Sequence, residues 1–267
     1  MNTHAPSLHH PAGAVVGLAA VAGLVLAGCS TASSGSSGSS ASSSSSNAAT
    51  SSKSSSAGSG GSTSVVASNS LPYPIAVGNT WKYTDTNGTT VDRIASVTPV
   101  SGGQQVLMDG TITTLGTPSS TSAYFIFHSD GSITYPFNQF NTSTSTTKIV
   151  LLSGSIMFPS ASALASGQVS HATLKIQFTS NGLTKDLTSH ITVKSGGTQT
   201  VTVPAGTYSA SVVDMTMSET ISGIAFSNEV MTWFAGGVGP VKTEVILVAA
   251  GTNHVEDVNE LTSFTKG

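Results

Sequence analysis

The 267-residue chain is poor in charge: 8% of its residues are charged, and nine basic against twelve acidic residues give a formal net charge of −3. Soluble domains typically carry about 25% charged residues, so this chain has too few Lys and Arg for a patch that neutralises nucleic-acid phosphates. Composition therefore predicts no nucleic-acid partner. Arg93 is the single arginine, which excludes a phosphate site built from an arginine cluster.

The N-terminal segment has the pattern of a secretion signal. Residues 12–27 are Ala, Gly, Val and Leu without a charge, a run shorter than the roughly 20 residues that span a bilayer comfortably. The pattern predicts a signal peptide over residues 1–28. The residues before the apolar run include His4, His9 and His10 but no Lys or Arg, which departs from the usual positive start.

The apolar run ends at Leu26-Ala27-Gly28-Cys29, which resembles the lipobox of bacterial lipoproteins. The resemblance implies cleavage before Cys29 and a diacylglyceryl group on its thiol, so that the membrane is a partner through this lipid anchor. It implies an extracytoplasmic place in the cell envelope, at the outer membrane if the cell has two, since Ser30 rather than Asp follows the cysteine. The alternative is an ordinary secreted protein, but a lone cysteine has no internal disulfide partner, and acylation explains it.

Residues 29–70 are predicted to be the acylated cysteine and a flexible tether. They are almost entirely Ser, Gly, Ala and Thr up to position 64, with Lys53 as the only charge. Such a segment has little apolar surface to offset the entropy of ordering it, and about 40 residues of it reach on the order of 35 Å. A glycosylated stalk would have the same composition.

Residues 71–267 hold every aromatic residue and are predicted to form one antiparallel β domain. Side chains alternate with period two, and turn signals such as Asn87-Gly88 separate the runs. Only residues 160–167 are predicted to be helical. The predicted strands are 81–84, 89–97, 105–113, 122–127, 133–137, 148–152, 155–158, 174–178, 187–193, 198–203, 207–220, 224–235, 241–249 and 254–264.

These strands predict a mainly β fold: a curved antiparallel meander sheet or half-open barrel, since about ten or more strands do not stay in a flat open sheet. The sequence places a turn at Ser195-Gly196-Gly197. In the strand after it, the apolar phase changes between Val212 and Val213, which predicts a bulge there. Trp81 and Trp233 are predicted to anchor the core.

Three segments also carry a family resemblance: residues 73–81 (YPIAVGNTW), 200–208 (TVTVPAGTY) and 233–242 (WFAGGVGPVK). Together they resemble uncharacterised bacterial secreted lipoproteins, whose sheets are similar to the half-open barrels of the lipoprotein carriers LolA and LolB. The resemblance implies a fold and no defined activity. The glycine loop at 236–240 is interpreted as a tight strand connection, with contact to a ligand or partner as the alternative.

Motifs for catalysis and metal binding are weak. No nucleophile elbow, phosphate loop, dinucleotide fingerprint or zinc-protease motif occurs, so the chain is predicted not to be an enzyme and to need no cofactor. Ser145 and Ser263 begin Ser-x-x-Lys sequences, which a serine-rich chain produces by chance. No metal site is predicted, because the candidate ligands lack ligand spacing: His171, His190, His254, Asp186, Glu256 and Asp257.

Two functions fit these observations. The first is an envelope-anchored lipoprotein that binds or carries an apolar or amphipathic ligand on the inner face of a half-barrel. Its apolar residues are Met157, Phe158, Phe178, Met215, Met217, Phe226 and Met231, unless they only fill the core. The alternative is a structural or adhesive module that binds an envelope protein at the cell surface through its Ser- and Thr-rich outer faces.

Overall fold

The computed structural model describes residues 73–86, 88–114, 116–135, 142–143, 147–180, 183–221, 224–249 and 252–267. The predicted signal peptide at 1–28, Cys29 and the predicted tether up to residue 70 lie outside the described residues. The described part forms one antiparallel sheet of fourteen strands and one short helix, so the predicted mainly β fold is confirmed.

The elements follow the chain with short connections between them. The helix, α1, spans Ala161–Ala165. The strands are β1 Thr80–Thr84, β2 Gly88–Val100, β3 Gly103–Thr114, β4 Thr117–His128, β5 Ile133–Tyr135, β6 Thr142–Ser143, β7 Thr147–Ser153, β8 Ile156–Phe158, β9 Ser170–Ser180, β10 Leu183–Val203, β11 Gly206–Ile221, β12 Ile224–Ala235, β13 Gly239–Ala249 and β14 Thr252–Thr265.

Two meanders make up the sheet, where the sequence predicted one. Strands β9 to β14 are neighbours in chain order, and so are β1 to β5. The last strand pairs with the first, with Trp81 of β1 opposite Phe264 of β14. This pairing joins the two meanders, because each of these strands gives the other a partner for its backbone N–H and C=O groups.

The sheet curls strongly around a single core. Neighbouring strands lie about 4.8 Å apart, so β8 and β9, eleven positions apart in the sheet order, would be separated by about 50 Å in a flat sheet. Yet β8 contacts both β9 and β10. One hydrophobic cluster accordingly includes Trp81, Phe158 and Leu174 from distant parts of the sheet.

Strand β10 differs from its prediction at Ser195-Gly196-Gly197. The structure has no turn there: β10 runs through this segment, and its pairing with β11 shifts between Ser195 and Gly197. The extra residue is therefore a bulge in β10, opposite the position where β11 was predicted to change phase. Val212 and Val213 are both 1% exposed, so this part of β11 is buried on both faces and shows two apolar phases without a bulge of its own.

Helix α1 lies within the predicted helical segment 160–167, and Ser160 is its N-cap. The Ser160 hydroxyl accepts a hydrogen bond from the Ala163 N–H at 3.3 Å, which satisfies one of the free donors of the first turn. Leu164 packs into the core. Of the helices that the described residues form, none is long and apolar enough to cross a membrane.

Gly154 lies in the two-residue link between β7 and β8, which belong to opposite ends of the sheet. Its φ is +102°, and a Cβ there would collide with the Thr173 carbonyl oxygen of β9. We expect Gly154→Ala to lower the free energy of unfolding by about 2 kcal/mol, since left-handed backbone alone costs an L-residue about 1 to 2 kcal/mol.

Gly167 is the matched control, because its φ is +81° but a Cβ there would meet nothing within 4 Å. Gly167→Ala should be less destabilising than Gly154→Ala in urea denaturation. Equal losses for the two variants would show that the collision with β9 contributes nothing.

Candidate functional site on the concave face

The concave face is the side of the sheet that carries Trp81, Asp92, Val106, Met215 and Val230. All five are 0–2% exposed. Cross-strand pairing places Met215 opposite Val193 on β10 and Val230 on β12, and Trp81 opposite Asp92. The face is therefore a largely apolar surface with an acidic residue inside it.

Most of the apolar residues proposed for a ligand serve the core. Phe158, Phe178, Met215 and Met217 are 1–6% exposed and belong to the hydrophobic cluster. Met231 is partly buried against that cluster, Met157 is 45% exposed, and the Phe226 side chain is outside what the structure describes. The apolar content by itself therefore marks no ligand site.

Trp81 connects two of the segments that carry the family resemblance. Its indole N–H donates to the carbonyl of Val238 in the β12–β13 loop at 2.6 Å. The hydroxyl of Tyr83 donates to the carbonyl of Pro240, near the start of β13, at 3.0 Å. A Cβ on Gly239 would lie 3.5 Å from both Pro74 and Trp81. The glycine loop is thus a strand connection packed on Trp81.

Trp233 is buried on the opposite face of the sheet. It is 6% exposed, and its indole N–H donates to the side-chain oxygen of Gln199 at 3.0 Å. The ammonium group of Lys242 lies 5.3 Å from the ring centre, a cation–π distance. Both tryptophans are therefore buried, as predicted.

Asp92 lies in a row of paired residues that crosses β1 to β4: Trp81, Asp92, Gly110 and Thr121. Its side chain shares the concave face with Trp81, and it is 1% exposed. One carboxylate oxygen, Oδ1, and the hydroxyl of Thr121 have no hydrogen-bond partner. Gly110 has no side chain, so β3 places nothing between these two polar groups.

Three tyrosines lie near enough to this carboxyl group for its charge to raise their pKa values. Burial raises the pKa of Asp92 well above its usual value. Burial, with a smaller contribution from the charge of Asp92, also raises the pKa values of Tyr73 and Tyr135. The pKa of Tyr83 is raised by burial first, and then by Tyr73 and by Asp92. The group is therefore a buried carboxyl among phenols, all of which favour their neutral forms.

Aromatic rings pack on one another next to Trp81, the residue paired with Asp92. The Tyr73 ring centre lies 5.2 Å from that of Trp81 and 5.7 Å from that of Phe127. Phe125 and Tyr135 meet edge to face at 4.5 Å. We call Asp92, Tyr73, Tyr83, Tyr135 and Thr121 the Asp92 cluster.

A second buried carboxyl lies on the concave face away from this cluster. Glu219 is 6% exposed, pairs with Ser189 across β10, and has an oxygen, Oε2, without a hydrogen-bond partner. Burial raises its pKa, while the Ser189 hydroxyl opposes that rise. Asp214 is different: it lies on the opposite face and forms an ion pair with Lys194 at 3.0 Å.

Basic side chains, unlike these carboxyl groups, stay at the surface. Of the Lys and Arg residues that the structure describes, none is buried: Lys242 is partly buried and bridges to Glu244 at 2.7 Å, and the others are exposed. Among the described residues, the buried ionisable side chains are therefore acids and tyrosines, and no Lys or Arg is among them.

The other residues singled out from sequence do not come together. His171 and His190 are exposed on β9 and β10 and lie within 3.3–3.5 Å of threonine hydroxyls, and Asp186 accepts a hydrogen bond from Gln177 at 3.0 Å. His254 is exposed on the distant strand β14. Within the described ranges, no group of three or more His, Cys, Asp or Glu residues is arranged to hold a metal ion.

The two Ser-x-x-Lys sequences form no site among the described residues. Ser263 lies in β14, not at a helix start, and Lys266 is exposed beyond that strand. Ser145 lies outside the described residues, and Lys148 is exposed on β7.

Two solved structures are similar to this chain. A candidate lipoprotein from Parabacteroides distasonis ATCC 8503 has 15% sequence identity and a TM-score of 0.52, with 74% of this chain and 99% of that chain covered. A candidate exported protein with a YmcC-like fold from Bacteroides fragilis NCTC 9343 has 16% identity and a TM-score of 0.49, with 74% and 100% covered. The first likeness shows a shared fold.

Comparison with curated proteins finds no match. The family model described as DUF3108-like matches residues 78–246, more than half of the 267 residues. This range begins just before β1 and ends within β13, so it contains the Asp92 cluster apart from Tyr73. The chain belongs to the DUF3108-like family.

Proposed function

We propose that this protein is a bacterial envelope lipoprotein, anchored by acyl chains on Cys29. The lipobox-like sequence Leu26-Ala27-Gly28-Cys29 and the Ser-rich segment after it support the proposal. More than one acyl chain makes such attachment stable. The β domain would then lie outside the cytoplasm, at the outer membrane in a cell with two membranes, and within tether reach of the bilayer.

We further propose that the concave face, a half-barrel surface of the kind found in LolA and LolB, binds an amphipathic molecule. One observation carries this proposal: Asp92 and Glu219 are buried among apolar residues, and each has a carboxylate oxygen without a hydrogen-bond partner. An unsatisfied buried polar group costs about 1 to 3 kcal/mol and is uncommon in native proteins. A ligand with an apolar part and a polar part would satisfy both kinds of surface.

The second candidate function is a structural or adhesive module that binds an envelope protein and carries out no catalysis. The burial of Phe158, Phe178, Met215 and Met217 in the core favours it, because these residues are then already used. The proposal therefore depends on the unpartnered polar atoms rather than on the amount of apolar surface.

The test is native mass spectrometry of the full-length protein, purified from cell envelopes in a nonionic detergent. We expect a bound species that leaves on denaturation, and increased fluorescence of an apolar dye once the ligand is removed. A protein that is always free of ligand and leaves the dye unchanged would contradict ligand binding and favour the adhesive module.

The lipid anchor has its own test. Cys29→Ser removes the thiol that accepts the diacylglyceryl group, so the variant should carry no acyl chains and should either keep its signal peptide or be released in soluble form. Radiolabelled palmitate incorporation and membrane fractionation measure the two effects. Ser30→Ala is the control and should stay in the membrane fraction. A Cys29→Ser chain that incorporates palmitate like the parent would refute the anchor.

A further inference from the structure

We infer that the Asp92 cluster binds an organic cation, so that the amphipathic ligand carries an alkylammonium head group. This inference rests on the proposed ligand binding and adds the charge of the ligand and the position of its head. It follows from the charges inside the curl, the aromatic rings around Asp92 and the place of Tyr73 in the chain.

The first argument is electrostatic. Asp92 is 1% exposed, and no Lys or Arg among the described residues is buried with it. An isolated buried carboxylate is strongly disfavoured unless a positive charge is nearby. Burial favours the neutral form of Asp92, so this carboxyl can ionise only beside a positive charge. A cation would supply that charge to Oδ1, whereas an anionic head group would not.

The second argument is the kind of surface around the carboxyl. Trp81, which is paired with Asp92, has its ring centre 5.2 Å from that of Tyr73, and Tyr73 lies 5.7 Å from Phe127. Phe125 extends this aromatic group from Phe127 to Tyr135. Aromatic faces attract ammonium groups with about 0.5–1 kcal/mol at exposed sites and about 2 kcal/mol or more when water is excluded. Methylated ammonium groups suit such a surface because they need few hydrogen-bond acceptors.

The third argument concerns entry. Tyr73 belongs to the segment before β1, whereas Trp81, Tyr83 and Tyr135 lie in strands. Its hydroxyl contacts the Met108 sulfur at 3.6 Å. The segment before β1 is held further along the chain, where Asn79 donates to the Pro74 carbonyl at 2.9 Å and accepts from the Gly267 N–H at 3.0 Å. Displacing the Tyr73 ring would therefore break no strand pairing, so we place the entry to the cluster at this residue.

The experiment compares three amphiphiles with the same hexyl chain: hexyltrimethylammonium, neutral hexyldimethylphosphine oxide and hexyl sulfate. The protein is the full acylated chain in dodecyl maltoside micelles, with Trp233→Phe so that fluorescence reports Trp81. We expect the ammonium compound to bind at least tenfold more tightly than the other two. Asp92→Asn should weaken its binding at least tenfold, and Asp109→Asn, the same change at an exposed acid on the opposite face of the sheet, should leave it unchanged.

Several outcomes would overturn the inference: equal or tighter binding of the phosphine oxide or the sulfate, an unchanged Asp92→Asn variant, or an equal loss for Asp109→Asn. If none of the three compounds binds while native mass spectrometry finds a ligand, the cation inference fails and the proposed function stands. If both experiments find nothing, the proposed function fails with it.

Discussion

Trp81→Ala should lower the free energy of unfolding by about 3 to 5 kcal/mol, the usual loss when a large buried aromatic side chain is truncated. Trp81 is 0% exposed, its ring stacks on Phe264 with centres 5.1 Å apart, and its N–H holds the β12–β13 loop through Val238. The truncation would leave a cavity and also an unpaired carbonyl, at the point where the first strand meets the last.

Urea denaturation followed by circular dichroism measures this loss. Lys82→Ala is the control, because Lys82 is the exposed neighbour of Trp81 in β1 and its truncation should change stability by less than about 0.5 kcal/mol. Indistinguishable denaturation midpoints for Trp81→Ala and the parent would mean that Trp81 does not anchor the core.

Local pattern in the sequence predicts most of the strands, because alternation and turn residues act between near neighbours. Trp81 and Tyr83 are buried and Lys82 is exposed, as period two requires. After this strand, the Gly88 N–H donates to Asp85 at 2.5 Å to form the predicted hairpin. The order of the strands in the sheet cannot be predicted from such local pattern. Only two residues separate β7 from β8, yet the two strands lie near opposite ends of the sheet.

The segment at Ser195-Gly196-Gly197 shows a second limit. Two glycines after a serine are typical of a turn, but they also suit a bulge, and only the partner strand decides between the two. A Cβ on Gly196 would lie 2.7 Å from a methyl group of Val212, so close packing against β11 requires glycine there. Residues about 16 positions apart therefore determine this feature, which a local pattern cannot show.

The Asp92 cluster could have been found in part. Successive side chains in a strand point to opposite faces, and Arg93 and Ile94 next to Asp92 indicate which face is which: the exposed arginine directs Asp92 inward, together with Ile94 two residues later. The tyrosines could not have been assigned, because Tyr73, Tyr83 and Tyr135 come from three segments that meet only through the curl of the sheet.

Asp92→Asn should make the protein more stable at neutral pH, by about 2 to 3 kcal/mol, because it replaces a buried acid that lacks a counter-charge with a neutral group of the same size. The pKa of Asp92 is raised in the folded state by burial. Folding therefore binds a proton between the unfolded pKa, about 3.9, and the higher folded pKa. The stability that this carboxyl contributes is fully present below the unfolded pKa and is lost as the pH rises to the folded one.

The difference in unfolding free energy between Asp92→Asn and the parent should thus be near zero below about pH 4 and should grow as the pH rises. Asp130, whose pKa is lowered mainly by hydrogen bonds from Ser132, acts in the opposite direction but is present in both proteins and cancels. Parallel pH profiles from urea denaturation at several pH values would contradict the assignment. A stability gain with loss of cation binding would mean that the parent keeps Asp92 for its ligand at the expense of its fold.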